Sequence, residues 1–418
     1  MTRARIVCVL LLAAAGPALV RQARADQSKP DAIPADAIRD QLIKDGNEAF
    51  YNLDYDQSLA DYEKALASDP SNPILHNHVA HALLYRELFR DGALESELVS
   101  GNNSFIRRAK MEPSAEVEKR FFAELDRSMG LCQALLRKNP RDTFALHTLA
   151  VAYGLRANYG FLVRKSWRAS LSDSNQARRF DEQVTAIDPS DYDSRLIQGA
   201  WDYIAGSLSW SMRALGFVAG VHGDKQRGLH TIEEVAQYGK QNRDDAEIIL
   251  CALYRRDGQT ARAIPHVRDL VDRFPRNYLI RFELAQMYAS MGQRKNALET
   301  INRISLMKQQ NVPGFDRIPW EKIYYETGNL EFWFDDFDQA LEHLQKATAN
   351  AEDMKELDLN TGSLAFMRQG QIYDLLKRHN MAVPEYQQAM KFAPEAEAAR
   401  ESQHYIGSPY TRAFHTHS

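Results

Sequence analysis

Three histidines crowd one short stretch, His76-Asn77-His78-Val79-Ala80-His81. On a helix, His78 and His81 stand three residues apart and share one face, a spacing at which two imidazoles can grip a metal ion, while His76 points elsewhere. The stretch supplies no carboxylate or thiolate to complete such a site, so groove-lining or packed histidine competes with the ligand reading. His415 and His417 near the end of the chain form a lesser pair. A second group is basic: Arg156, Arg164, Lys165, Arg168, Arg178 and Arg179 lie close together in sequence, interleaved with Tyr159, Phe161 and Trp167. Such a set can hold an acidic peptide, a phosphate-bearing head group or a glycan, or it can form a solvated helix face. The chain has no G-x-G-x-x-G, no phosphate-cradling G-x-x-x-x-G-K, no H-E-x-x-H and no G-x-S-x-G. No residue is therefore singled out as catalytic, no cofactor is called for, and the chain is read as a non-enzyme.

The elements that would carry these residues follow a period. Leu250 recurs as Leu284, Tyr254 as Tyr288, Gly258 as Gly292 and Ala263 as Ala297, all at one constant interval. That interval is the period of a helix-turn-helix unit, about 34 residues. Gly46 precedes Pro70, Cys251 precedes Pro275 and Gly370 precedes Pro394 by a second shared interval, with each Pro stopping a helix. In the last unit, Gly370, Tyr373, Ala382, Tyr386 and Ala389 set small residues against aromatic ones across two helices, and Gly328, Phe337, Ala340, Leu344 and Ala347 repeat the arrangement. With 26% charged residues and no alternating apolar run long enough for a sheet, the composition agrees with an all-helical chain.

These units resemble tetratricopeptide repeats. Gly46, Ala80, Ala150, Gly199, Ala285, Gly328 and Gly370 match the small residue of the first helix, and Ala177, Ala263, Ala297, Ala340 and Ala382 match the Ala of the second. The resemblance implies an all-α, right-handed α-solenoid of stacked helix-turn-helix units over 39–396. Clean repeats fall at 39–72, 244–312, 321–354 and 363–396, with degenerate ones at 73–243. One elongated array is expected, because no Pro, Gly or Ser-rich linker divides the chain and a solenoid needs no single core. In that family the inner helices line a concave face that binds a protein or peptide. Mapped here, that face carries Lys44, Asn47, Phe50, Tyr51, His78, His81, Tyr85, Arg255, Arg256, Gln286, Tyr325, Asn329, Phe332, Trp333, Arg368 and Gln371. His147 is expected on the groove side one unit after the histidine stretch. Aromatics supply contact area and amides pair with peptide backbone, which suits an extended chain or a helix. The family's two-carboxylate clamp is not reproduced, since Lys44 and Asn47 are followed by His78 and His81.

Three departures mark the middle, each an interval stretched well beyond its counterpart in the clean repeats. Ala80 to Ser128 is the longest, with 107–128 reading as an added charged helix. Tyr153 to Ala177 exceeds Tyr254 to Ala263, and Gly199 to Gly228 exceeds Gly370 to Ala382, pointing to enlarged helices or hairpins. The apolar insertion Trp201 to Val221, with Trp210, Leu215 and Phe217, admits either burial against neighbouring repeats or a peripheral membrane contact. Residues 1–25 read as an export signal: Arg3 and Arg5 precede an uncharged stretch from Ile6 to Val20, and Ala23-Arg24-Ala25 offers a cleavage site before a linker at 26–38. The periplasm is the expected location. Cleavage removes four Arg and moves the formal charge from -4 to -8, which argues against nucleic acid as partner. Cys132 and Cys251 are expected as buried, unbridged thiols. After Pro394 a solvating helix to Tyr405 is followed by a tail expected to be mobile, within a C-terminal segment 397–418. The expected function is a scaffold or adaptor for a protein partner in the cell envelope. A membrane-associated assembly factor using 201–221, or a metal protein or enzyme using His78 and His81, stand as alternatives, and the oligomeric state is open.

Overall fold

A computed structural model describes residues 35–92, 94, 111–208, 222–349 and 359–412. Every regular element among them is helical, and within each of two compact units the helices pair into antiparallel hairpins that stack in chain order, as in an α-solenoid. The export signal, the linker up to residue 34, most of the 201–221 insertion and the His415/His417 pair lie outside the described residues.

The described residues form two compact units, 35–274 and 275–412. Unit 1 holds five hairpins: α1 (Ala35–Tyr51) with α2 (Tyr55–Ser68), α3 (Pro73–Arg90) with α4 (Ala115–Lys138), α5 (Thr143–Tyr159) with α6 (Trp167–Ile187), α7 (Leu196–Gly206) with α8 (Lys225–Tyr238), and α9 (Arg243–Arg256) with α10 (Thr260–Arg273). Unit 2 holds α11 (Tyr278–Ser290) with α12 (Arg294–Gln309), α13 (Trp320–Trp333) with α14 (Phe337–Thr348), and α15 (Leu359–Leu375) with α16 (His379–Phe392). A last helix, α17 (Glu397–Gly407), packs on α15 and α16 through Ala398, Ala399 and Ser402.

Local chemistry accounts for the breaks. In six hairpins the first helix ends in a residue of left-handed conformation two positions past its last helical residue: Leu53, Gly92, Gly258, Gly292, Asp335 and Lys377. After all of these but Gly92 the next amide returns to the last helical turn, as Gln259 N to Tyr254 O at 2.7 Å and Arg378 N to Tyr373 O at 2.8 Å. Gly258 and Gly292, with φ of +71° and +70°, adopt that conformation without a Cβ clash. Between hairpins, a Pro is followed two residues later by a capping side chain. After Pro70, Pro140 and Pro275, the side chains of Asn72, Asp142 and Asn277 accept from the amides of Ile74, Ala145 and Ile280.

The small-to-aromatic pairing appears as the sequence indicates. A Cβ on Gly46 would stand 2.6 Å from the Tyr62 ring, and one on Gly370 would stand 2.5 Å from Tyr386, so the ring of the second helix lies on the bare backbone of the first. Between hairpins, Phe282, Ile301, Phe315, Ile323 and Leu330 form a continuous core in unit 2, as Leu59, Tyr62, Val79 and Leu83 do in unit 1. Each such side chain contributes about 1.5–3 kcal/mol.

Two expectations need correction. Of the segment 107–128, the described part from 111 adds no separate helix: from Ala115 it belongs to α4, which pairs with α3 as that repeat's own second helix, lengthened to 24 residues. The final segment is not free throughout, since 408–412 return to the body of unit 2. Cys132 and Cys251 are buried thiols, not bridged to each other, and burial pushes the Cys132 thiol up to about 12. The enlarged third hairpin carries a π-helical turn, Gly160–Arg164, after α5.

Candidate functional site

The inner face of unit 1 closes on itself. Tyr51 of α1 donates to Asp245 Oδ1 of α9 at 2.9 Å, and its ring stacks on Phe274 with centroids 4.8 Å apart. Phe50 lies 4.3 Å from His81 and 5.1 Å from Tyr85, while His78 stacks on Tyr62 at 4.8 Å. Phe50, His78, His81 and Tyr85 are consequently interior side chains, each at most 5% exposed, and offer no open groove. Burial pushes both imidazoles down to about 3, so they are neutral packing groups. No set of three metal-ligating side chains occurs among the described residues. His147 turns to the second helix of its own hairpin: burial alone would lower it, but Asp181 at 2.8 Å holds it at about 9. His76 meets Glu124 at 2.6 Å. Of the remaining face residues of unit 1, Lys44 is exposed, Asn47 accepts from the Tyr62 hydroxyl, Arg255 is half-buried and Arg256 lies over the Tyr203 ring at 5.4 Å.

Half of the basic cluster is neutralised from within. Arg156 makes a bidentate pair with Asp173 at 2.7 and 2.8 Å, Arg164 pairs with Glu118 and lies over Phe122, and Arg178 pairs with Glu182 and lies over Trp201. Trp201 is buried and donates to the His222 carbonyl at 3.0 Å, which ties the two ends of the insertion together. Among the described residues no helix is long and apolar enough to cross a membrane.

Unit 2 brings several of the expected residues together at an accessible place. At the end of α13, Phe332 is fully buried while the adjacent Trp333 is 47% exposed, their rings edge to face at 5.4 Å. Arg368 of α15 lies 4.4 Å from the Phe332 centroid and 5.4 Å from that of Trp333, and it donates to Gln371 at 2.6 Å. Gln286 donates to Glu326 at 3.1 Å, and Tyr325 and Asn329 are buried. Arg412, which the sequence did not single out, lies on the same two rings at 4.6 and 5.5 Å. An exposed Trp beside two guanidiniums and edge to face with a buried ring has the composition of an interaction hot spot. Elsewhere on unit 2, an open cleft of about 450 Å³ is lined by Trp320, Tyr324 and His343 with Asn302, Gln309 and Gln339.

Three segments, 44–93, 254–315 and 364–395, match the tetratricopeptide repeat family. These three segments carry tetratricopeptide repeats. Such repeats are generally scaffolds for protein–protein interaction. No curated protein sequence matches the chain. Among solved structures it is similar to Tom70 of yeast, at 11% identity and a TM-score of 0.37 over 89% of this chain and 96% of that one. It is also similar to a thermophilic tetratricopeptide repeat protein of Thermus thermophilus, at 12% identity and a TM-score of 0.33 over 60% and 98%. A tetratricopeptide repeat protein from Parabacteroides merdae is similar at 13% identity and a TM-score of 0.30, over 79% and 99%.

Proposed function

We propose that this tetratricopeptide repeat protein is a non-catalytic scaffold that holds a protein partner in the cell envelope, with the Trp333 patch of unit 2 as a principal contact. The observation that carries the reading is Trp333, held 47% exposed beside Arg368 and Arg412 at the end of the first helix of its hairpin. A large ring kept in solvent costs hydration free energy that the isolated chain does not recover, and a partner covering it would. The closed inner face of unit 1 supports the choice of unit 2, because the side chains expected to line a groove there are buried. The export-type leader and the acidic charge after its removal support an envelope location away from nucleic acid.

In-cell crosslinking followed by affinity capture and mass spectrometry tests this. A partner captured by wild type and by Phe144→Ala, an exposed aromatic of unit 1, should be lost with Trp333→Ala. Capture unchanged by Trp333→Ala would remove the patch from the function. Phe332 must stay intact in this experiment, because it is core and its truncation would cost about 3–5 kcal/mol.

A further inference from the structure

The segment that follows α17 shows what kind of ligand the Trp333 patch accepts. Beyond Gly407 the chain crosses back to α13 with Ser408, Pro409 and Thr411 exposed, and two residues hold it. Tyr410 donates its amide to Asp374 at 2.7 Å, and its ring lies 5.3 Å from Tyr405 and 6.4 Å from Phe332. Arg412 enters a cage of three rings, its guanidinium carbon 4.6 Å from Phe332, 5.5 Å from Trp333 and 5.9 Å from Phe337. It donates to the Phe332 carbonyl at 2.6 Å and pairs with the carboxylate of Asp335.

The rings, the carbonyl and the carboxylate of this cage each favour a guanidinium, against like charge from Arg368 on the same two rings. The ring faces attract a flat, weakly hydrated cation, the carbonyl lies in the last turn of α13 where the helix dipole is negative, and the carboxylate takes a further N–H. A lysine ammonium is compact and strongly hydrated and cannot lie flat against a ring while reaching both oxygens. The cage is open to water on its Asp335 side, since that carboxylate is 67% exposed.

We infer that this cage is a binding site for an arginine of the partner polypeptide, carried in a Tyr-x-Arg segment, and that Arg412 of the chain's own tail is its resident competitor. The inference rests on the reading of the Trp333 patch as a partner surface. The occupant is argued from the segment seated there: Tyr410 and Arg412 show which side chains the cage takes and at what spacing. Because the tail is tethered, it competes at an effective concentration on the order of millimolar, so a vacated cage should bind a free segment at least tenfold more tightly than an occupied one.

The test uses the full chain with Arg412→Glu, which vacates the cage and sets like charge against Asp335, and Arg412→Ala as a second vacated form. The probe is a fluorescent peptide of residues 408–418, followed by anisotropy, with circular dichroism reporting the fold. Both variants should bind the peptide at least tenfold more tightly than wild type. The gain should vanish when Trp333→Ala is added or when the peptide carries Lys in place of its arginine. Folded variants that bind no better than wild type, or bind the Lys peptide equally well, would overturn the inference and leave the tail as a cap on the last hairpin. Self-association of wild type that Arg412→Glu abolishes would overturn it too, assigning the cage to the tail of a second copy. Loss of cellular capture by Trp333→Ala with no peptide binding would leave the scaffold reading standing and sink only the arginine site. Peptide binding without loss of capture would do the reverse.

Discussion

Asp245 is the side chain whose replacement tests the interior of unit 1 most sharply. It is 1% exposed, accepts from Tyr51 through one oxygen, and finds no hydrogen-bond partner among the described residues for the other. Burial pushes its carboxyl up to about 7 from 3.8, against a smaller downward pull from the Tyr51 hydroxyl. The N-terminus of α9 also favours the carboxylate, but by only about 0.3–1 kcal/mol. A folded value above the unfolded one means the folded state holds the extra proton. This carboxyl therefore costs no stability below about pH 4, and stability is lost progressively as pH rises from there to about 7. At 1.36 kcal/mol for each pKa unit, the cost of ionisation above pH 7 is on the order of 4 kcal/mol. Asp245→Asn keeps the shape and the Tyr51 hydrogen bond and removes the charge. It should raise the melting temperature at pH 8 by about 8–16 °C, with the gain shrinking to about 2–4 °C at pH 4.5. Melting curves of the two proteins, monitored by circular dichroism at both pH values, measure the difference while other titrating groups cancel. An equal effect at both pH values would refute the assignment of a buried carboxyl raised by desolvation, and with it the closed inner face.

Other expectations follow from particular contacts. Lys377 is exposed and holds φ of +59° at the position where Gly258 and Gly292 serve other hairpins, so Lys377→Gly should stabilise unit 2 by about 1 kcal/mol in urea titrations. Gly370→Ala gains about 1 kcal/mol of helix propensity. It also sets a methyl 2.5 Å from the Tyr386 ring, and overpacking of about 1–3 kcal/mol should make it net destabilising in the same titration. Cys132 and Cys251 should resist a thiol reagent in the native protein and react on unfolding, because both are buried; rapid native labelling of Cys132 would contradict its place in α4.

Where the side chains answer to their near neighbours in sequence, the structure agrees with the sequence. Gly46 meets Tyr62 and Gly370 meets Tyr386 inside one hairpin, so the repeat frame is written in spacings shorter than a repeat. The helix face carrying Phe50, His81 and Tyr85 was readable for the same reason. Whether that face is open was not. The contact that closes it, Tyr51 to Asp245, joins residues 194 apart, and it depends on small rotations summed over several stacked hairpins, which no local pattern records. The basic cluster likewise reads as a patch along the chain, yet Asp173, Glu118 and Glu182 neutralise half of it from neighbouring turns and helices.

The sequence by itself determined the repeat, the helical class and several of the places where a helix stops, because glycine, proline and small-to-aromatic spacing act over a few turns. Only the tertiary structure decided which of the mapped residues face solvent. It sends His78 and His81 inward as neutral packing groups, leaves Trp333 outside, and brings Arg412 from an aperiodic tail onto Phe332, 80 residues away. The reason is physical: amphipathic periodicity specifies that a helix face will be covered, while the geometry of stacking specifies what covers it.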